Sequence, residues 1–265
     1  MTAFLVTLFA GAATGIGSFI AFFAKTTNKK FLSSALGFSA GIMIYLSFVE
    51  LFNEALDELF EVTGSSATAM TFTVIAFFSG ILLIALIDGL IPKRFNPHEP
   101  KDSEEMDDPE AVERDKVHRV GVFTAIAIAL HNFPEGFIVF LATLADPSLG
   151  IVVAIAIALH NIPEGVAVSV PIYHATGSRL KAFLYSFASG IVQPVGALVG
   201  YFVLLQFMNE YVLGIAFAAV AGMMVFISLD QLLPTAQRYG YHHLSIYGLV
   251  LGMLVMAVSL ILLPF

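Results

Sequence analysis

Ala125-Ile-Ala-Ile-Ala-Leu-His-Asn-Phe-Pro-Glu-Gly136 recurs a short way downstream as Ala154-Ile-Ala-Ile-Ala-Leu-His-Asn-Ile-Pro-Glu-Gly165, differing only at Phe133 and Ile162. Each copy lies in an apolar run, 120–144 and 150–173, long enough to cross a bilayer at ~20 residues per crossing. The short link between the runs makes the two helices antiparallel near-copies. Outward from this pair, apolar runs occupy 3–24, 31–52, 68–91, 182–207, 211–234 and 244–264, so the chain is predicted to form eight transmembrane helices. Composition points the same way: of 265 residues, 58% are hydrophobic and 12% charged, against roughly 25% charged in a soluble domain. With a mean hydropathy of +0.89, a water-soluble globular protein is excluded. The expected fold class is all-α, a polytopic membrane protein forming a single transmembrane domain over residues 1–265.

Residues 93–119 hold 15 of the 32 charged residues, and the stretch Asp102 to Asp115 reads as a disordered acidic loop. Basic residues set the orientation. Lys25, Lys29 and Lys30 fall between predicted helices 1 and 2; Lys93, Arg94, Lys101, Arg114, Lys116 and Arg119 between 3 and 4; Arg179 and Lys181 between 5 and 6; Arg238 between 7 and 8. These are all twelve Lys and Arg, and the alternate loops have none. By the positive-inside rule the four basic loops are cytoplasmic, and both termini lie outside a cell membrane, a bacterial inner membrane in kind. No Lys or Arg precedes Lys25, and the first run exceeds the ~7–15 apolar residues of a signal peptide, so a retained helix is expected. Without cysteine there are neither disulfides nor thiolate ligands, and the net charge of −8 makes a nucleic-acid partner unexpected.

A second, weaker repeat pairs Ala40-Gly41-Ile42-Met43 with Ala221-Gly222-Met223-Met224 and, in the same register, Ser47 with Ser228. Helix 2 thus matches helix 7, which crosses in the opposite sense. An inverted repeat of helices 1–3 and 6–8 around central helices 4 and 5 is expected, a recurrent transporter design. Gly11 and Gly15, Gly37 and Gly41, and Gly196 and Gly200 have the spacing of close helix crossings in lipid.

The chemistry lies in the duplicated motif. His131 and Glu135 are four apart on helix 4, as are His160 and Glu164 on helix 5, so each pair shares one helix face. Ionisable groups at this depth cost roughly 2.5–3.5 kcal/mol each on insertion scales unless they pair or hold an ion. Two neutral imidazoles and two carboxylates form a four-ligand site of neutral sum for a divalent cation such as Zn²⁺. Pro134 and Pro163 lack an amide hydrogen and free the carbonyls of Leu130 and Leu159. Asn132 and Asn161 add neutral oxygen donors beside the histidines. The alternative is that the prolines only kink the helices while His and Glu bond each other.

The two His-Asn-x-Pro-Glu-Gly motifs within eight apolar runs resemble the ZIP (Zrt-, Irt-like protein) divalent metal transporters, and among them the bacterial zinc-transporting branch; the resemblance spans essentially the whole chain. It implies uptake of divalent metal into the cytoplasm, chiefly zinc, with iron, manganese, cobalt and cadmium as further substrates. It implies a transport site of His131, Glu135, His160 and Glu164, with the metal as cargo and no resident cofactor. Some members carry a second, adjacent metal held by Asn132, position 161 and a carboxylate on helix 6. This chain departs from that pattern, having Gln193 where relatives often have Glu and Asn161 where some have Asp. Amides are weaker ligands for hard cations than carboxylates. One metal is therefore expected, with Asn132, Asn161 and Gln193 as auxiliary or outer-sphere contacts; the alternative for Gln193 is a helix-to-helix hydrogen bond.

Glu50, Glu54, Asp57, Glu58 and Glu61 form an acidic outer rim that attracts cations or is simply solvated. Asp88 and Asp230 near inner helix ends either pass an ion on or cap and snorkel, and Met43 and Met224 are read as core packing. His98 and His118 flank the acidic loop. No Walker-type motif occurs, so no ATP coupling is expected. The rival in another class is an intramembrane metal-dependent hydrolase in which Glu135 or Glu164 activates a metal-bound water. Against it, His-Glu-x-x-His is absent and both glutamates are needed as ligands, so the chain is not expected to be an enzyme. A metal-sensing signalling protein would need an effector domain, which is not apparent. The residues leave open whether the chain works alone or as a homodimer.

Overall fold

The computed structural model describes residues 1–23, 29–90, 129, 132–204 and 209–262. The expectations for His131, His98, His118, the loop 93–119 and most of 120–131 lie outside these residues. The described residues form helices joined by short turns, with no strand among them. In order these are α1 (Thr2–Phe23), α2 (Lys29–Tyr45), α3 (Phe52–Thr63), α4 (Ser66–Leu90), α5 (Asn132–Ala145), α6 (Pro147–Thr176), α7 (Arg179–Val199), α8 (Glu210–Ile227), α9 (Leu233–Arg238) and α10 (His242–Leu262). Seven continuous helical segments are long and apolar enough to span a membrane, and α5 is the described part of an eighth apolar run. The all-α polytopic expectation is met.

Helix ends are closed by side chains and glycines where backbone groups would otherwise go unsatisfied near the lipid. Asp146 caps α6 by accepting from the amides of Ser148 at 2.6 Å and Leu149 at 3.3 Å, with Pro147 in the first turn where no amide is needed. Ser178 and Asn209 cap α7 and α8 in the same way. Gly64 (φ 63°) ends α3 and Gly177 (φ 62°) ends α6 in the left-handed conformation that a Cβ disfavours.

The structure differs from the sequence reading at the second and seventh spans. Runs predicted over 31–52 and 211–234 are continuous helices over Lys29–Thr63 and Glu210–Arg238. Charge sets the limit of a hydropathy run, but Ala55 and Leu59 are buried on α3, so the acidic segment keeps one packed face and stays helical. Each long helix contains a π turn, at Leu46–Leu51 and at Ser228–Leu232. The two turns fall at corresponding positions of the repeat, and Ser47 and Ser228 each donate to the carbonyl four residues back, Met43 and Met224, at 2.7 Å. Met43 and Met224 are buried in the main core, as expected.

Packing sorts the helices into two bundles. One joins α1, α6 and α7, with α5 laid on α7; the other joins α2, α3, α4, α8, α9 and α10. The principal contact between bundles runs along α2 and α6. Glycines set the closest crossings. A Cβ on Gly37 or Gly41 would overlap the carbonyls of Ser245 or Leu249 on α10; one on Gly80 or Gly222 would overlap those of Ala219 on α8 or Phe77 on α4. The α2–α10 and α4–α8 crossings are equivalent under the inverted repeat, which therefore holds in three dimensions. Gly11 and Gly15 face α7, and Gly196 and Gly200 face Phe133 and Phe137 on α5.

Candidate metal centre

Three of the four predicted ligands lie among the described residues, all buried: Glu135 on α5, and His160 and Glu164 on α6. His160 Nε2 lies 3.3 Å from Glu135 Oε1, so the two copies of the motif meet across the α5–α6 interface. That contact is long for a charge-assisted bond, while both Glu164 oxygens, Asn161 Oδ1 and Gln193 Oε1 have no hydrogen-bond partner. Among the described residues no set of three His, Asp or Glu side chains is drawn together tightly enough to hold an ion by itself. The fourth predicted ligand, His131, falls outside them.

The arrangement is made by neighbouring helices. Asn132 Nδ2 donates to the Ser189 carbonyl of α7, and Asn161 Nδ2 to the Ala10 carbonyl of α1, each at 2.8 Å. With the amide nitrogens committed to backbone, the side-chain oxygens are left as acceptors, and that of Asn161 has no partner among the described residues. Gln193 Nε2 on α7 donates to Glu135 Oε2 at 2.9 Å and to Asn132 Oδ1 at 3.3 Å. Gln193 thus makes the helix-to-helix bond that was the alternative to metal contact, and it turns Glu135 so that Oε1 faces His160. Backbone groups of α6 are held from both sides: Ser39 of α2 donates to the His160 carbonyl at 3.2 Å, and Ser186 of α7 to the Gly165 carbonyl at 3.1 Å.

An orphaned buried donor or acceptor costs about 1–3 kcal/mol, more when charged. Here both Glu164 oxygens and the amide oxygens of Asn161 and Gln193 are without partners in an apolar bundle that also buries the His160–Glu135 contact. That donor set suits a divalent cation with mixed nitrogen and oxygen preference. Two carboxylates balance its charge, which in this setting is otherwise prohibitive. The acidic rim is helical: Glu54 and Glu58 lie on α3 with Asp57 and Glu61.

Sequence reasoning missed the role of α1. Its signal was present, since Gly11-Ala-Ala-Thr-Gly-Ile-Gly17 and Gly190-Ile-Val-Gln-Pro-Val-Gly196 begin and end on glycines at the same separation. Only packing reveals that both segments line the motif helices.

An inverted repeat of apolar helices around a buried His, Glu and Asn cluster defines a membrane carrier of divalent cations. The family described as ZIP Zinc transporter matches residues 1–260, and the chain belongs to that family. It is similar to proteins named Zinc transporter ZupT. That of Oceanobacillus iheyensis is 60% identical over 264 residues, covering 99% of this chain and 98% of that protein. That of Nitratidesulfovibrio vulgaris is 60% identical over 269 residues, covering 99% and 97%. That of Clostridium perfringens is 56% identical over 274 residues, covering 99% and 96%.

Proposed function

We propose that the chain carries divalent metal, chiefly zinc, into the cytoplasm, with His131, Glu135, His160 and Glu164 as ligands and Asn132, Asn161 and Gln193 around them. The observation that supports this reading is the contact of buried His160 with buried Glu135 where the two copies of the motif meet, with Glu164 buried one turn along from His160 and both its oxygens without partners. Zinc is the cargo, not a resident cofactor, and iron is a secondary substrate. The chain acts as one transport domain, with both termini outside and the loop 93–119 in the cytoplasm; the support is the placement of all twelve basic residues in alternate loops. The test is zinc uptake by protein reconstituted in vesicles, read by a zinc dye in the lumen. Uptake dependent on the protein supports the carrier; lipid or peptide cleavage without uptake supports the hydrolase instead.

Two further outcomes follow from the site. Imidazole ligates only when neutral, and free imidazole titrates near pH ~6.5, so protons compete with metal as pH falls. Zinc affinity, measured by chelator competition, is expected to weaken steadily from pH 7.5 to 5.5; a flat profile would argue against histidine ligands. Gln193→Glu replaces the donor that now occupies Glu135 and Asn132 with a third carboxylate. Wild type is expected to bind one zinc per chain and Gln193→Glu two, counted by metal analysis of purified protein.

A further inference from the structure

Helices α1 and α7 correspond under a single constant shift in sequence, which relates Ala10 to Ser189, Gly11 to Gly190 and Gly17 to Gly196. The contacts repeat with the residues. Asn161 donates to the Ala10 carbonyl as Asn132 does to that of Ser189, each at 2.8 Å. Gly17 lies on the Ile162 carbonyl as Gly196 lies on that of Phe133, and the Thr14 carbonyl lies on Gly165 as that of Gln193 lies on Gly136. The partners on α5 and α6 pair in the register of the duplicated motif: Asn132 with Asn161, Phe133 with Ile162, and Gly136 with Gly165. Under this correspondence Thr14 occupies on α1 the place that Gln193 occupies on α7, and Glu164 takes the place of Glu135.

Thr14 is fully buried and its hydroxyl lacks a hydrogen-bond partner. Other buried threonines bond back to the carbonyl four residues earlier: Thr7 to Ala3 at 2.9 Å, Thr73 to Ala69 at 2.9 Å and Thr143 to Val139 at 2.7 Å. For Thr14 that carbonyl is Ala10, which Asn161 uses. Gln193 is long enough to deliver its amide to Glu135 Oε2. Threonine ends two bonds sooner, and both Glu164 oxygens lack partners like the Thr14 hydroxyl. On the Gln193 side one glutamate oxygen is held by protein, whereas on the Thr14 side neither is.

We propose that Thr14 is a cargo-binding residue: on the Glu164 side of the site its hydroxyl accepts a hydrogen bond from a water carried by the bound divalent cation. The inference rests on reading His160 and Glu164 as ligands. A neutral hydroxyl suits a water in an open coordination position, which Zn²⁺ retains wherever protein ligands do not close its shell.

The test uses Thr14→Val, which keeps the side-chain shape and removes the hydroxyl, with Thr7→Val as the control and Glu164→Ala as the reference. Zinc affinity is measured by chelator competition and thermal stability on the metal-free protein in detergent. Thr14→Val is expected to bind zinc about fivefold more weakly, the equivalent of one hydrogen bond. Its metal-free stability should equal or exceed that of wild type, because an unpaired buried hydroxyl has been removed. Thr7→Val should leave zinc affinity unchanged. Thr14→Val binding within twofold of wild type, with Glu164→Ala defective, overturns the role of Thr14 and leaves the site reading intact. Glu164→Ala binding zinc normally overturns the site reading itself. If Thr14→Val does not fold, the ratio of affinities between Thr14→Ser, which keeps the hydroxyl, and Thr14→Ala, which loses it, carries the same test at the same fivefold.

Discussion

Glu164→Ala is expected to lower zinc uptake in reconstituted vesicles by ~100-fold or more, to the level of protein-free vesicles. Even outer-sphere partners of a metal ligand are worth ~10–100-fold in affinity or activity, and in the proposed site Glu164 supplies one of the two carboxylates that balance a divalent charge. Its side chain is fully buried and both its oxygens lack hydrogen bonds, so they are free to ligate. Without it, an ion beside Glu135 carries net positive charge into an apolar bundle, where an uncompensated buried charge costs ~3–5 kcal/mol. Glu164→Gln separates charge from shape: it retains the volume and one oxygen, and should lose uptake nearly as completely. Uptake by either variant within twofold of wild type would place the cargo site elsewhere.

Gly165→Val is expected to yield no folded protein. A Cβ at Gly165 would overlap the carbonyl oxygen of Thr14, and Gly17 on the facing helix meets the Ile162 carbonyl in the same way. Overpacking against side chains usually costs about 1–3 kcal/mol, because neighbours can rotate away. Here the obstacle is helix backbone, and the valine is admitted only if α1 and α6 separate along their length. In lipid, close backbone packing replaces the hydrophobic force that joins helices in water, so that separation removes much of what holds the pair. Gly17→Val should fail alike. Gly89→Val is the control, since a Cβ there meets nothing within 4 Å. A monodisperse, zinc-binding Gly165→Val protein in detergent size-exclusion would contradict the crossing geometry.

Much of the architecture was legible because lipid imposes a simple rule on sequence. Every spanning segment must satisfy its own backbone, so helices appear as long apolar runs. Ends were less legible than existence. The acidic segment after Leu51 and the residues after Pro234 continue their helices, because Ala55, Leu59 and Ala236 still find buried partners. The π turns at Leu46–Leu51 and Ser228–Leu232 leave no periodic trace, since an extra residue within one helical turn alters composition not at all.

At the site, the sequence by itself determined which residue types share a helix face: a histidine and a glutamate one turn apart, doubled in the two copies of the motif. Spacing along one helix decides which residues share its face, and that is a local property. Which atoms of those residues stay unpaired depends on residues far away in the chain, and only the tertiary structure decided it. Ala10 and Ser189 take up the asparagine amides, and Gln193 reaches Glu135 from α7. Thr14 comes to its place opposite Gln193 only because glycines let α1 and α7 touch.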